Sequence, residues 1–165
     1  MLKVLCEGNK IRKEKYHEEN QYLNLIQQII DNGTWEQGRN GKVLSIFGAA
    51  MYFSLQNNEI PILTTKKVAW KTCLRELLFF ISGETSNKIL KKQNVHIWDA
   101  NSSKDFLNSR GLINREEDDL GPIYGFQWRH FNAKYNDCTT DYSKCGVDQL
   151  EEVIKCLKDP NQRTS

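Results

Sequence analysis

The segment Lys66-Lys67-Val68-Ala69-Trp70-Lys71-Thr72-Cys73-Leu74-Arg75-Glu76-Leu77-Leu78-Phe79-Phe80-Ile81-Ser82-Gly83 decides how the rest of the chain is read. Apolar residues at 70, 73, 74, 77, 78 and 81 recur with helical spacing, and Gly83 supplies a stop. The spacing predicts a helix over 66–82. After Glu76 it is apolar nearly all round, which predicts burial rather than a surface position. Glu76 is the polar residue that such burial would isolate. An apolar setting raises a carboxyl group's pKa toward the range useful for proton transfer, unless a cation such as Arg75 pairs with it. A structural pair with Arg75, or an exposed polar stripe, is the other reading of the same two residues.

Toward the N-terminus, Tyr22, Leu23, Leu25, Ile26, Ile29 and Ile30 give a second helix that Gly33 ends. The Gly38–Gly41 loop leads into Val43-Leu44-Ser45-Ile46-Phe47-Gly48, and alternation resumes at Met51, Phe53 and Leu55. Two strands with a turn or bulge at Gly48 are expected. Residues 7–20 are charged and aperiodic, so 1–20 reads as an arm or linker before a domain spanning 21–165. Toward the C-terminus, Thr85 is placed to cap a short helix reaching Lys92, and 101–115 reads as helix and loop. The Asn/Asp/Tyr-rich stretch 132–146 reads as a surface excursion. Asp148 with Glu151 resembles a capping box, followed by an apolar face at Leu150, Val153, Ile154 and Leu157 and a stop at Pro160. Residues 159–165 read as a helix exit toward a further strand, so the fold is expected to be incomplete at the C-terminus. Helices and strands mix without regular alternation, which favours an α+β class over a doubly wound sheet.

The 165 residues fit one domain, and 23 Lys+Arg against 21 Asp+Glu argues against a broad polyanion-binding surface, so no nucleic-acid substrate is expected, while a local phosphate pocket stays open. The longest apolar run, Leu77 to Ile81, is far too short to span a bilayer, and the first residues turn polar too soon for a secretory signal. The five cysteines form no C-x-x-C pair, so reduced thiols in a cytoplasmic setting are expected, with no metal site.

Chemistry-bearing residues cluster in Asp119-Leu120-Gly121-Pro122-Ile123-Tyr124-Gly125-Phe126-Gln127-Trp128-Arg129 and in Ile97-Trp98-Asp99-Ala100-Asn101. Their rings could stack on a planar heterocycle, or form a core under a shaped loop. Arg39, between Gly38 and Gly41, is a phosphate-ligand candidate, and Arg163 is a second one, although an arginine just beyond a helix end is more often plain surface. Glu116-Glu117-Asp118-Asp119 reads as a solvated turn.

Taken in order, these segments resemble the N-terminal half of a thymidylate synthase, including the form fused to dihydrofolate reductase. The resemblance runs from about Tyr16 to Arg163, through Pro61-Ile62-Leu63-Thr64-Thr65-Lys66-Lys67, Glu76-Leu77-Leu78-Phe79-Phe80, Ile97 to Asn101, Asp119 to Phe131, and Gly146 to Leu150. It implies a twisted sheet whose back packs on its twin in a homodimer. It implies reductive methylation of dUMP to dTMP with 5,10-methylenetetrahydrofolate as co-substrate. By motif position, Glu76 would organise water and proton transfer, and Tyr124 would join that network. Ile97, Trp98 and Asn101 would line the folate side, Lys66 would meet the folate's glutamate tail, and Arg39 and Arg163 would reach nucleotide phosphate, Arg163 across the dimer. Phe79 stands where the family has Trp, Thr164 where it has a second arginine, and Arg39 is one residue out of register. The sequence contains no Pro-Cys-His segment to supply the nucleophilic thiol, so the chain is expected to be inactive alone. A related pyrimidine hydroxymethylase, or a non-catalytic fragment that pairs with full-length subunits, are the alternatives.

Overall fold

The computed structural model describes residues 17–39, 41–159 and 161. They divide into two units, one ending at Val68 and one beginning at Ala69. Helix and strand are both present, as an α+β chain requires. No helix among the described residues is long and apolar enough to cross a membrane.

In the first unit, α1 (Asn20–Asn32) ends where Gly33 was expected to end it. Strands β1 (Thr34–Gly38) and β2 (Gly41–Ser45) then pair antiparallel, with Trp35 opposite Leu44 and Glu36 opposite Val43. The Gly38–Gly41 loop is therefore a hairpin turn, and the first strand precedes it. The strand expected over Met51–Leu55 is absent. Its backbone is occupied by side chains instead: the Gln21 amide donates to the Tyr52 carbonyl at 2.5 Å and accepts its N–H at 2.8 Å. The Ser54 N–H donates to the Glu18 carboxylate at 2.7 Å. Alternating apolar residues signal a strand only if a second backbone is there to pair with them.

Glu19 organises the other end of this unit. Its buried carboxylate accepts the backbone N–H groups of Thr64 (2.8 Å) and Thr65 (2.9 Å) and both hydroxyls (2.6 and 2.7 Å). The segment that carries Lys66 is thereby fixed immediately before that residue.

The second unit is built on α2 (Trp70–Ile81), which starts later than the periodicity suggests and ends before Gly83 at φ +75°. Only Phe79 and Phe80 of this helix are buried; Leu74, Leu77, Leu78 and Ile81 are exposed, against the expectation of burial all round. The core gathers Phe79, Phe80, Leu90, Val95 and Leu120, with Trp98, Ile123 and Trp128 partly buried against it. Short helices α3 (Asn87–Lys92), α4 (Asp99–Ser102) and α5 (Lys104–Ser109) follow, then α6 (Tyr124–Arg129) and α7 (Gln149–Lys158). Thr85 does not cap α3; its buried hydroxyl donates to the Tyr135 hydroxyl at 3.1 Å, whose own hydrogen goes to Asp119. Asp148 does cap α7, accepting the Glu151 N–H at 3.0 Å, and it also pairs with Arg129 at 3.1 Å.

The 132–146 stretch is not a simple surface excursion. Phe131 and Val147 pair at its base, and Tyr142 packs edge-on against Phe126 with ring centres 4.8 Å apart. Tyr135 stacks on Tyr142, and the Tyr142 hydroxyl accepts the Asn136 and Asp137 N–H groups. Polar composition suggested solvent, but each tyrosine carries enough apolar ring to form a second small core.

The Glu19 carboxyl is held at about 2, well below its ordinary 4.5, first by the Thr64 hydroxyl and then by the Thr65 backbone and hydroxyl. A depressed carboxyl means that the unfolded chain binds the proton more readily. The contribution is thus complete above pH 4.5 and is lost as pH falls toward 2. Urea-unfolding midpoints measured across that window should fall more steeply for the native chain than for Glu19→Gln.

Candidate functional site

Glu76 sits one turn before Phe80 on α2, and its environment comes from three elements. Its Oε1 accepts the Trp98 indole N–H at 2.7 Å. Arg75 turns elsewhere, donating to the Gln93 carbonyl at 2.7 Å, and none of the ion pairs among the described residues involves Glu76. The alternative of an Arg75–Glu76 pair therefore falls away. The second carboxylate oxygen makes no hydrogen bond among the described residues.

Around this contact the rings form a cluster centred on Phe80. Trp98, Tyr124 and Trp128 each approach the Phe80 ring edge-on, at 6.2, 5.3 and 6.0 Å between centres. Trp98 and Tyr124 are 6.2 Å apart. The sequence named both segments, and the fold brings them together. Tyr124 and Trp128 lie one turn apart on α6, so both point from one helix face. Between them in sequence, Gly125 packs on α2: a Cβ there would lie 2.4 Å from the Phe80 carbonyl oxygen and 2.7 Å from its Cα. Only glycine permits that approach.

Ile97 and Tyr124 are 51% and 57% exposed beside the half-buried Trp98, and Asn101 is exposed three residues on from Trp98. The result is an open wall with apolar and aromatic faces and polar tips. In the first unit, Lys66 is exposed directly after the Glu19-clamped threonines, and Arg39 is exposed in the hairpin turn. Arg163 lies outside the described residues.

The acidic run departs from the expectation of a solvated turn. Asp118 and Asp119 are buried. Burial opposes the Asp118 charge, but the Lys91 ammonium at 2.6 Å outweighs it and holds the carboxyl below its usual range. Asp119 Oδ1 accepts the Gly121 N–H at 2.7 Å and the Tyr135 hydroxyl at 2.6 Å. Asp99, beside Trp98, is held below its usual range by the Asn87 amide and by His96 at 2.9 Å. Asn87, with no exposed surface, was not singled out from sequence. Nothing in its local context distinguishes it from an ordinary helix-start Asn.

The cysteines among the described residues lie apart from this wall's polar contacts, and Cys6 lies outside the described residues. Cys73 is exposed on α2, Cys156 lies on α7, and Cys138 and Cys145 line a cavity of about 660 Å³ with Gly83, His130 and Tyr142. Burial pushes the Cys138 thiol up, away from reactivity. Among the described residues no group of three His, Cys, Asp or Glu side chains is arranged to hold a metal ion.

The family model described as "Thymidylate synthase" matches residues 20–165. The chain is 54% identical over 149 residues to the bifunctional dihydrofolate reductase-thymidylate synthase of Zea mays, covering 89% of this chain and 28% of that protein. Against the protein of the same name from Leishmania major the identity is 49% over 149 residues, covering 89% and 29%. Against a probable thymidylate synthase of Schizosaccharomyces pombe it is 54% over 143 residues, covering 86% and 23%. The chain thus spans less than a third of the length of these curated relatives.

Gly125→Ala tests the seating of α6. Alanine gains up to about 1 kcal/mol of helix propensity over glycine. The clash here is with backbone, which cannot swing aside, and overpacking costs about 1–3 kcal/mol. A net loss of stability in urea unfolding, with altered tryptophan emission, is the expected outcome.

Proposed function

Because the chain belongs to the thymidylate synthase family, we propose that it carries the proton-handling and folate-facing residues of the reductive methylation of dUMP to dTMP. The observation that carries this reading is the Trp98–Glu76 hydrogen bond at 2.7 Å inside an aromatic wall that stays open to solvent. The exposed Ile97 and Tyr124 side chains beside Trp98 suit one face of a planar pterin, which supports 5,10-methylenetetrahydrofolate as co-substrate. Bound there, it would supply both the one-carbon unit and the hydride.

The chain's own residues divide the remaining work. With Oε1 held by the Trp98 indole, Glu76 has its other oxygen free to order a water and to pass a proton to or from a pyrimidine carbonyl. Tyr124, whose hydroxyl makes no hydrogen bond among the described residues, is available to extend that network. Trp98, Ile97 and Asn101 hold and orient the folate ring system, and Lys66 attracts its glutamate carboxylates. Arg39 and Arg163 are the phosphate ligands, Arg163 serving the other subunit of a homodimer. The full domain is read as a twisted mixed sheet with helices packed on it, working in the cytoplasm.

The pyrimidine ring must first accept a thiolate. Cys138 and Cys145 belong to a different cavity, and no Pro-Cys-His segment is present, so no cysteine of this chain is assigned as nucleophile. Two measurements test the reading. Trp98 emission in the 165-residue chain should be quenched by 5,10-methylenetetrahydrofolate with dUMP present, and much less so in Glu76→Leu. Tritium release from [5-³H]dUMP by the same chain should stay at background. Absence of quenching removes the site assignment, and release above background removes the statement about the thiol.

One observation favours association as well. Leu74, Leu77, Leu78 and Ile81 leave 42–54% of their surface exposed along α2, and Val153 and Ile154 leave about as much on α7. Apolar exposure of this kind is what a pairing surface offers, in keeping with a homodimer or with docking on full-length subunits. Light scattering should give a mass above the monomer's 19.2 kDa. Leu78→Glu should lower it.

A further inference from the structure

We propose that Asn87 is a positioning residue for the Glu76–Trp98 pair, acting through Asp99 and Ser102. Its importance for folate handling rests on the proposed function; its control of the pair rests on geometry alone.

Asn87 is fully buried and touches neither Glu76 nor Trp98 by hydrogen bond. Its side-chain nitrogen faces acceptors on three sides: Asp99 Oδ1 at 2.9 Å, Ser102 Oγ at 2.9 Å and Asp118 Oδ1 at 3.4 Å. An amide has two hydrogens, so Asp99 and Ser102 take them and Asp118 is a weaker third. Both shorter contacts lie on α4, the helix that begins directly after Trp98. Ser102 returns its own backbone N–H to the Trp98 carbonyl at 3.0 Å, which closes the turn on the tryptophan itself. The indole then reaches Glu76.

The same residue ties the other wall. The Asn87 N–H donates to the Asp118 carbonyl at 2.8 Å, Ser86 bridges Asp119, and the Leu120 N–H donates to Thr85 at 2.9 Å. Asp118 is held with φ +70°, and four residues beyond Leu120 comes Tyr124. The Asn87 side chain thus sets the segment leading out of Trp98, while the backbone of 85–87 holds the segment leading into Tyr124, which the side chain reaches through Asp118. Aspartate has the same shape as asparagine but no hydrogen to donate, and here it would face two carboxylates. Removing a donor from such a site costs more than removing volume.

The test uses the uniformly ¹⁵N-labelled chain and reads the Trp98 indole N–H resonance, assigned with Trp98→Phe. Glu76→Gln marks where that resonance goes when the acceptor charge is lost. In Asn87→Asp the Trp98 resonance should move in the same direction while the Trp128 resonance stays. The double variant N87D/D99N restores a donor opposite an acceptor with reversed polarity, and should bring the resonance back toward its native position. A folded Asn87→Asp chain with an unmoved Trp98 resonance overturns the proposal, as does a double variant no closer to native than the single. If Asn87→Asp does not fold, Ser102→Ala decides: a smaller shift in the same direction supports positioning, and no shift overturns it. In the same samples, folate quenching should weaken about tenfold in Asn87→Asp, the effect of losing one hydrogen bond to a charged group. Failure of the native chain to bind folate would count against the proposed function, while the resonance would still judge Asn87.

Discussion

The contact on which the second unit depends is the seating of Gly125 on the backbone of Phe80. A Cβ at that position would stand 2.4 Å from the Phe80 carbonyl oxygen, so α6 lies against α2 with no side chain between them. Tyr124 and Trp128, on either side of the glycine, therefore meet the Phe80 ring edge-on at 5.3 and 6.0 Å. Trp98 completes the arrangement from α4's entry, and its indole N–H finds the one carboxylate on that face of α2. A ring pair adds only about 0.5–1.5 kcal/mol beyond the area it buries. Its larger effect here is geometric, since the rings of Trp98 and Tyr124 both meet the Phe80 ring edge-on and each other at 6.2 Å.

Polar residues do the corresponding work where the chain is irregular. In the first unit Glu19 satisfies two backbone donors and two hydroxyls just before Lys66. In the second, the Asn87 side-chain nitrogen, Ser102, Lys91 and Asp118 pair around a residue with positive φ, while Asn87 Oδ1 has no partner among the described residues. Such networks are costly when half made, because each unpaired group keeps its desolvation penalty, and constraining when complete. These two bring order to loops that carry candidate site residues, which regular secondary structure could not supply.

How far the sequence could be read depended on the range of the interaction involved. The α7 cap was legible because Asp148 and Glu151 are three residues apart and their bond is local. The end of α1 at Gly33 and of α2 by Gly83 were legible for the same reason. The strand over 51–55 was misread because its partners are the side chains of Glu18 and Gln21, more than thirty residues away. Burial was misjudged in both directions: the leucines of α2 are exposed, whereas Asp118, Asp119 and Tyr142 are inside. Hydropathy gives each side chain's preference and says nothing of which surfaces the fold covers.

The sequence by itself determined the family, the mixture of helix and strand, and the identities of Glu76, Trp98 and Tyr124 as residues of interest. Those follow from ordered motifs and local periodicity, which survive without coordinates. Only the tertiary structure decided that Glu76 answers to Trp98 rather than to Arg75, and that a buried Asn87 ties together the segments bearing the two rings. Both are choices among hydrogen-bond partners. Such choices are made by distances of about 3 Å between residues far apart in the chain, which no spacing along the sequence encodes.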